Sequence, residues 1–585
     1  MKNEEFATAI NMEKTVMRQN RMKRSMRTTM KWLCAAFFIL HSSFFISCSD
    51  FFESDLNSVA GIDGRKVQQE RDAFYQMNGI LQLMQQVGDG YVIAGELRGD
   101  LVSQTTNSTQ ELRDIEFFQA DSANSYLNER RLYAIVNNCN YFIQSLDKDY
   151  MGEKADTLVS QAKCIRAWAY LNLALDYGEV KYYTEPILTA GNSQVSIVNY
   201  GLPQLLDVLI DDLLPYVPAD GVAEQLPFTT GQYSSINSYA TQYLLIPVRW
   251  MMAELYMWKE NFYEAAHMYY QLMRDRKLTV SAGYRNRWRN NLCEDVSIRN
   301  WANQFSTLNT TNQISVIPFS NEFTDGMTTL PDLFYHDYRL CASSACRNIF
   351  EQQQYTINLT TVPVSGDLRG LGITNDYGSY VLRAADTGSE ELTEAYITKY
   401  NKLYASNANY VCLARSAKVY LRYAEAINRL GMHRMALATL KYGLNANTLV
   451  NTNYIGKDTI NSFPFTDFGQ VNATIATTFN SNGPLHSRGS GDADMNAAYT
   501  IDTSTGIDSL TAVENLIMDE YVLECAFEGG RFHDLMRISQ YRGSTQYLAT
   551  QVAAKLAAVE GSPRSYAEWV AYLSDRRNWY LPRHK

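Results

Sequence analysis

Glu528, Arg531, Asp534 and Arg537 recur every third position near the C-terminal end. Carboxylates set this closely could work as an acid and a base if they faced each other across a cleft. The same spacing also makes an ion-pair and capping cluster. In that arrangement Gly529-Gly530 ends one helix and Asp534 stands near the start of the next. The structural arrangement is the expectation carried forward. Glu425, inside an Ala-Glu-Ala helix, is likewise read as a scaffold carboxylate. Residues 491–496 (GDADMN) offer alternating oxygen ligands, as the opening of a calcium loop does. An EF-hand loop starting at Asp492 needs Gly at its sixth place and Glu at its twelfth. This chain has Ala497 and Thr503 there. An EF-hand is excluded, which leaves a polar loop or a cation site of another kind. The neighbouring Arg488-Gly489-Ser490-Gly491 reads as a turn or as a ligand-facing loop.

Other chemistry leaves little trace. The seven histidines show no HExxH or clustered spacing, and GxSxG, Walker and GxGxxG motifs are absent. Nine cysteines include no CxxC pair, so no zinc knuckle or thioredoxin-type site is indicated. Cys341 and Cys346 are close enough in sequence to be bonded. No catalytic residue, cofactor or metal is expected, although dispersed carboxylates would leave no linear signature.

Binding chemistry is better represented. Tyr accounts for 40 of the 585 residues. Its flat ring and hydroxyl suit recognition surfaces as well as a Tyr-rich helical core. A pyranose ring needs an aromatic face against its C–H groups, with amides, carboxylates or guanidiniums for the hydroxyls. Two loop regions supply both kinds. Residues 91–114 hold Glu96, Arg98, Asp100, Gln104 and Asn107. Residues 284–338 hold Tyr284, Trp288, Trp301, Asn303, Phe334, Tyr335 and Tyr338. The candidate ligand residues are Arg98, Asp100, Tyr284, Trp288, Trp301, Tyr335 and Tyr338. Residues 95–100 (GELRGD) read equally well as a structural turn with an Arg–Asp pair.

These loops need a scaffold, and periodicity points to helices. Cys164, Trp168, Leu171 and Leu175 fall on one helical face, as do Leu244, Val248, Met251, Leu255 and Trp258. A short turn at residues 259–262 leads to a second run with Ala266, Tyr270 and Met273. Small Ala265 and Ala266 let two helices approach closely, as in a tetratricopeptide (TPR) pair. Val419, Tyr423, Ala426, Ile427 and Leu430 repeat the plan, with a turn at residues 431–433 and a run over 435–442. Residues 276–400 and 445–510 show no long period and read as long loops, which in a compact protein are functional or mobile.

The net charge of −10 argues against nucleic-acid binding. Residues 18–31 are basic, and residues 32–46 (WLCAAFFILHSSFFI) have the length of a signal-peptide core. Ser47-Cys48 then resembles a bacterial lipobox, with Phe45 in place of the usual Leu. On that reading Cys48 is lipidated, and several acyl chains make anchoring stable. A plain secretory signal or an uncleaved anchor is the alternative. Met17, Met22 and Met26 are candidate internal starts. Without residues 1–47 the chain keeps 44 basic and 59 acidic residues, a net charge of −15.

Four segments, taken with the lipobox, resemble the SusD/RagB family of outer-membrane lipoproteins. Residues 161–180 (QAKCIRAWAYLNLALDYGEV) are similar to the family's A-x-R-A-x-x-Y helix and turn. The pair at 244–273 follows. Residues 416–431 (SAKVYLRYAEAINRLG) resemble Y-L-x-x-A-E-A-x-N-x-x-G. Residues 515–537 resemble the E-R-x-x-E-L-x-F-E-G-x-R-x-x-D-L-x-R block, with Asp519-Glu520 where the family prefers Glu-Arg. The resemblance implies a mainly α fold, a TPR-like α-α superhelix of about four helix pairs elaborated with long irregular loops. It implies a signal peptide over 1–47 and one nutrient-binding domain over 48–585. The implied protein is no enzyme. It is lipid-anchored in the outer membrane and faces the exterior. There it captures oligosaccharide for a SusC-like TonB-dependent transporter. A peptide-binding member, a surface glycoside hydrolase and a structural TPR assembly protein are the rivals.

Overall fold

The computed structural model describes residues 66–188, 195–236, 239–280, 312–319, 327–357, 363–370, 378–385, 392–400, 409–456, 482–490 and 493–584. It also describes isolated residues between 288 and 305, and residues 464 and 479. The chain divides into a unit of Met1–Arg65 with Ile187–Gln194 and a unit of Lys66–Pro186 with Val195–Lys585. Every element named in this article belongs to the second unit. Cys48 lies outside the described residues.

Helices dominate. Those longer than one turn are α1 (Glu70–Leu97), α2 (Gln110–Glu116), α3 (Glu129–Ser145), α4 (Lys154–Tyr177), α5 (Leu202–Leu213), α6 (Val248–Trp258) and α7 (Phe262–Arg276). After these come α8 (Ser344–Glu351), α9 (Ser416–Arg429), α10 (His433–Lys441), α11 (Ser509–Cys525), α12 (Arg531–Tyr541), α13 (Gln546–Ala558) and α14 (Tyr566–Leu573). Neighbours in sequence pack on one another: α3 on α4, α4 on α5, α5 on α6, α6 on α7, and α9 on α10. Helix α9 also lies against α7 and α11. This is the TPR-like helical fold, elaborated by long loops.

Local chemistry sets the turns. Between α6 and α7, Glu260 takes a left-handed φ of 60°, and the Asn261 side chain accepts from the Glu264 N–H at 3.4 Å. Three linking residues force the two helices to run antiparallel. Ala265 and Ala266 are fully buried at the contact. The α9–α10 turn uses Gly431 at φ 87°. Helix α6 starts later than its periodicity suggests. Leu244 stands outside it, because the residue before Pro247 is driven away from helical angles. Leu244 packs instead with Tyr239, Val316, Tyr410 and Cys412. In α4 burial goes beyond the expected stripe and runs unbroken from Cys164 to Tyr177. A helix packed on several sides needs no polar face.

The stretch expected to be irregular contains strands. β2 (Gln313–Phe319) pairs antiparallel with β6 (Asn409–Arg415), and both are interior. In β2 the polar Gln313 and Ser315 are buried along with Ile314 and Val316, so its short alternation marks no solvent face and gives no clear strand signal.

The C-terminal cluster is structural. Glu528 accepts from the Arg415 guanidinium and from Lys399 Nζ at 2.8 Å. Arg531 grips Asp100 at 2.6 and 2.8 Å. Asp534 takes Arg422 and Arg537, both at 2.8 Å. Glu425 accepts from both arms of Arg537 and from Tyr521. The four residues of the triplet spacing therefore reach mainly to distant elements, not to one another. Glycine is required here. A Cβ on Gly95 would stand 1.9 Å from the Gly529 carbonyl oxygen. A Cβ on Gly529, itself at φ 88°, would stand 2.6 Å from the Tyr91 ring. Arg488 belongs to this interior too, bonded to Glu524 at 2.9 Å, so it is no ligand-facing loop residue. Gly491 and Asp492 lie outside the described residues. No metal-holding group of His, Cys, Asp and Glu occurs among the described residues. Cys341 and Cys346 are free thiols.

Candidate ligand-binding surface

Strand β1 (Val102–Gln104) pairs antiparallel with β3 (Leu340–Ala342), matching Val102 with Ala342 and Gln104 with Leu340. This short ladder joins the two loop regions singled out in the sequence. Just beyond it, Thr105 Oγ1 donates to the Tyr338 carbonyl at 2.5 Å, and Asn107 Nδ2 donates to the Asp337 carbonyl at 3.1 Å. The Thr105 N–H donates to Arg339 O at 3.2 Å. Arg113 Nη2 braces the same loop by donating to Thr106 O at 3.2 Å.

Residues Asp332–His336 form a single π-helical turn, which sets Tyr335 beside its surface. Such turns are rare and often found at functional sites. Tyr338 then takes a left-handed φ of 47°. An antiparallel hairpin of β4 (Tyr380–Ala384) and β5 (Leu392–Ile397) completes the group. Its register sets Val381 opposite Tyr396 and Arg383 opposite Glu394. Period-2 alternation puts Glu394 and Tyr396 on one side and buried Ala395 and Ile397 on the other.

The side chains converge. Tyr338 and Tyr396 stack at 4.0 Å between centroids and 22° between planes. Tyr335 meets Tyr396 edge-on at 5.7 Å. The Arg383 guanidinium lies 5.4 Å from the Tyr335 ring centre and 5.6 Å from that of Tyr396. It also donates to the Tyr335 hydroxyl at 2.5 Å. The Tyr396 hydroxyl donates to Glu394 at 2.9 Å, and the Ala395 N–H donates to the Tyr338 hydroxyl at 3.1 Å. Burial pushes the Tyr338 phenol up, so it stays protonated. Tyr335 and Tyr396 are half-buried, whereas Arg383, Asp337, Thr106 and Asn107 are exposed. The surface therefore offers aromatic edges, an amide, a guanidinium and carboxylates. That is the equipment for holding a polyol by C–H/π contact and hydrogen bonds.

Only part of the expected set gathers here. Tyr335 and Tyr338 do. Arg98 is 0% exposed and is spent on Asp176, the Trp579 carbonyl at 3.0 Å and the Phe532 ring at 4.4 Å. Asp100, also 0% exposed, is held by Arg531. The Arg–Asp pair proposed within 95–100 is thus two pairs with partners far along the chain. Trp301 is 0% exposed, its Nε1 donating to Ser379 Oγ at 3.3 Å. Lys399 and Arg488 lie 5.9 and 5.3 Å from its ring. These three residues are interior because their charges or ring are satisfied there. They do not reach the surface where a ligand would meet them. Tyr284 lies outside the described residues. Trp288 sits in a two-residue strand, Trp288–Arg289, paired with Leu292–Cys293. Sequence reading missed Arg383, Glu394 and Tyr396. The available signal was the alternation of residues 392–397 after Asp386-Thr387-Gly388-Ser389.

No helix among the described residues is long and apolar enough to cross a membrane. No protein-family model and no curated relative matches the sequence. Solved structures do match. A SusD superfamily protein from Bacteroides vulgatus is 13% identical. It covers 88% of this chain and 95% of its own, with a TM-score of 0.57. A SusD superfamily protein from Bacteroides thetaiotaomicron is 16% identical over 88% of this chain and 95% of its own, with a TM-score of 0.53. Surface glycan-binding protein A from Bacteroides uniformis is 16% identical over 88% and 96%, with a TM-score of 0.54. The chain has the SusD-superfamily fold.

Proposed function

We propose that this chain, with its SusD-superfamily fold, is a non-catalytic glycan-binding protein of the cell surface. It is anchored through lipid on Cys48, sits in the outer membrane and faces outward. It captures oligosaccharide and passes it to a SusC-like TonB-dependent transporter. The observation that carries the reading is the surface group of Tyr335, Arg383 and Tyr396, backed by the buried Tyr338, beside Asn107. The names of similar structures support the ligand class, since one of them is a surface glycan-binding protein. The lipobox-like residues 45–48 support the anchor.

The test is affinity electrophoresis and calorimetry on protein lacking residues 1–48, against plant, host and microbial polysaccharides with a peptide mixture alongside. Saturable binding to a glycan, weakened in Y396A, with no new reducing ends is the expected result. Heat from peptides alone would replace the reading with a peptide-binding one. New reducing ends would replace it with a hydrolase. For the anchor, C48A should lose acyl label and leave the membrane fraction.

A further inference from the structure

A second aromatic pair stands at the end of α10. Tyr442, just past the helix, stacks on Tyr454 with centroids 3.8 Å apart and planes 12° apart. Tyr454 is 37% exposed. The turn that carries it is pinned from three directions. The Asn451 side chain accepts from the Asn453 N–H at 2.9 Å, Arg434 donates to the Asn453 carbonyl, and Ile455 is buried. Gly456, at φ 97°, closes the turn, its N–H donating to Thr452 O at 3.1 Å. The exposed ring is therefore held in place before any ligand arrives, which lowers the entropy cost of binding.

The surroundings specify a ligand class. Residues 442–456 (YGLNANTLVNTNYIG) contain no charged side chain. Thr452 and Asn453, next to Tyr454 in the chain, are exposed, as is Asn447. Lys441, next in sequence, is committed to the Tyr499 carbonyl at 2.6 Å. An amide offers both donors and an acceptor, which suits neighbouring hydroxyls. A flat ring suits the C–H face of a pyranose. The two cations at its edge, Arg434 and Lys441, each donate to a backbone carbonyl, so the side chains that carry the recognition are a ring, amides and a hydroxyl.

We infer that Tyr442 and Tyr454 form a second carbohydrate subsite, which takes a neutral sugar ring on the exposed Tyr454 and its hydroxyls on Asn447, Thr452 and Asn453. The subsite rests on the glycan-binding reading and adds a second contact along a long chain. Two linked weak sites raise avidity for a polysaccharide without changing affinity for a short oligosaccharide that fills one of them.

The experiment compares wild type, Y454A, Y454F, Y396A and the Y396A/Y454A double variant. All lack residues 1–48, and circular dichroism checks each fold. Affinity gels carry the polysaccharide that wild type retains, and calorimetry uses its short oligosaccharides. Y454A is expected to weaken polysaccharide retention about 3- to 10-fold, while Y454F, which keeps the ring, behaves as wild type. Y396A should keep residual retention that the double variant loses. If Y454A is retained like wild type while Y396A loses binding, the second subsite is wrong and the proposed function stands. If wild type binds no glycan, both fall. A preference of the Tyr454-dependent component for uronate-rich or sulfated chains would overturn the neutral-sugar assignment.

Discussion

Around α11 and α12, guanidiniums and carboxylates are sealed from water; around β4 and β5, an exposed guanidinium and two half-buried tyrosines stand over a third, buried one. In the first region Arg369, Arg415, Arg488 and Lys399 meet Asp367, Glu520, Glu524 and Glu528 in one interior network. Every one of these side chains is nearly or wholly inaccessible. Four cations against four carboxylates leave no net charge, the condition on which such burial is tolerable. In the second region Arg383 keeps its solvent, and the Tyr335 and Tyr396 rings are only half covered, over the buried Tyr338. The difference separates roles that the same residue types can fill. An Arg bound on every side by protein acceptors has nothing left for a ligand, whereas an exposed one over an aromatic ring can still exchange water for a hydroxyl. Arg98 and Arg383 look alike in a sequence, and this distinction divides them.

The comparison can be broken most severely at Glu524. It accepts from Arg369, Arg415 and Arg488 at 2.8 to 3.0 Å. E524A would take a carboxylate from three buried guanidiniums, of which Arg369 keeps Asp367 and Glu520 and Arg415 keeps Glu528, at a cost of about 3–5 kcal/mol. Urea unfolding should show that loss or a failure to fold. A variant as stable as wild type would mean that the network is not holding the interior together.

Next in size is G529A. It would place a methyl 2.6 Å from the Tyr91 ring at a left-handed φ of 88°. A destabilisation on the order of 1–3 kcal/mol is expected by the same measurement.

The third prediction concerns pH. Burial raises Glu96 to about 7, against the N–H groups of Gly529 and Phe527 and the nearby Lys399 and Arg531. Its folded pKa lies above its unfolded value, so its contribution is fully present below about pH 4.5. It is lost as the pH rises through about 7. E96Q should match wild type near pH 5 and be more stable above pH 8, by at most ~3 kcal/mol. Glu524 has the opposite sign. Burial would raise it, but Arg488, Arg369 and Arg415 together bring it down to about 2. Its stabilisation holds above about pH 4.5 and disappears as the pH falls toward 2. Melting temperatures from pH 3 to 9 should fall at the acid end in wild type and E96Q alike. They should separate only at the alkaline end.

The smallest expected energy is at the surface. R383A and Y396A should each lose about tenfold in glycan affinity, or ~1.4 kcal/mol, with little change in the unfolding midpoint. Lost stability with unchanged affinity would move this cluster into the scaffold class.

The legible part of the fold was the part made by neighbours in sequence. The stripe Cys164, Trp168, Leu171 and Leu175 and the run from Val419 to Leu430 each repeat at helical spacing, and both are helices. Glu528, Arg531, Asp534 and Arg537 were correctly read as structural. Their real partners, such as Asp100 and Arg422, lie 431 and 112 residues away and could not be seen. Tyr335 and Tyr338 were visible as aromatics in a polar loop, and the structure brings both to the group, Tyr335 half-buried and Tyr338 buried. Tyr396 and Arg383 were not, because their relevance comes from a hairpin register and from a stack on Tyr338.

By itself, then, the sequence determined the helices, their short turns, the absence of a linear catalytic signature and the anionic balance of the chain. Each depends on residues within a few positions of one another or on composition alone. The tertiary structure alone decided which Arg is buried and paired, that β1 meets β3 to join the two loop regions, and which tyrosines stack at the surface. Those outcomes rest on strand pairing, ring stacking and charge neutralisation between segments tens to hundreds of residues apart, for which local spacing carries no information.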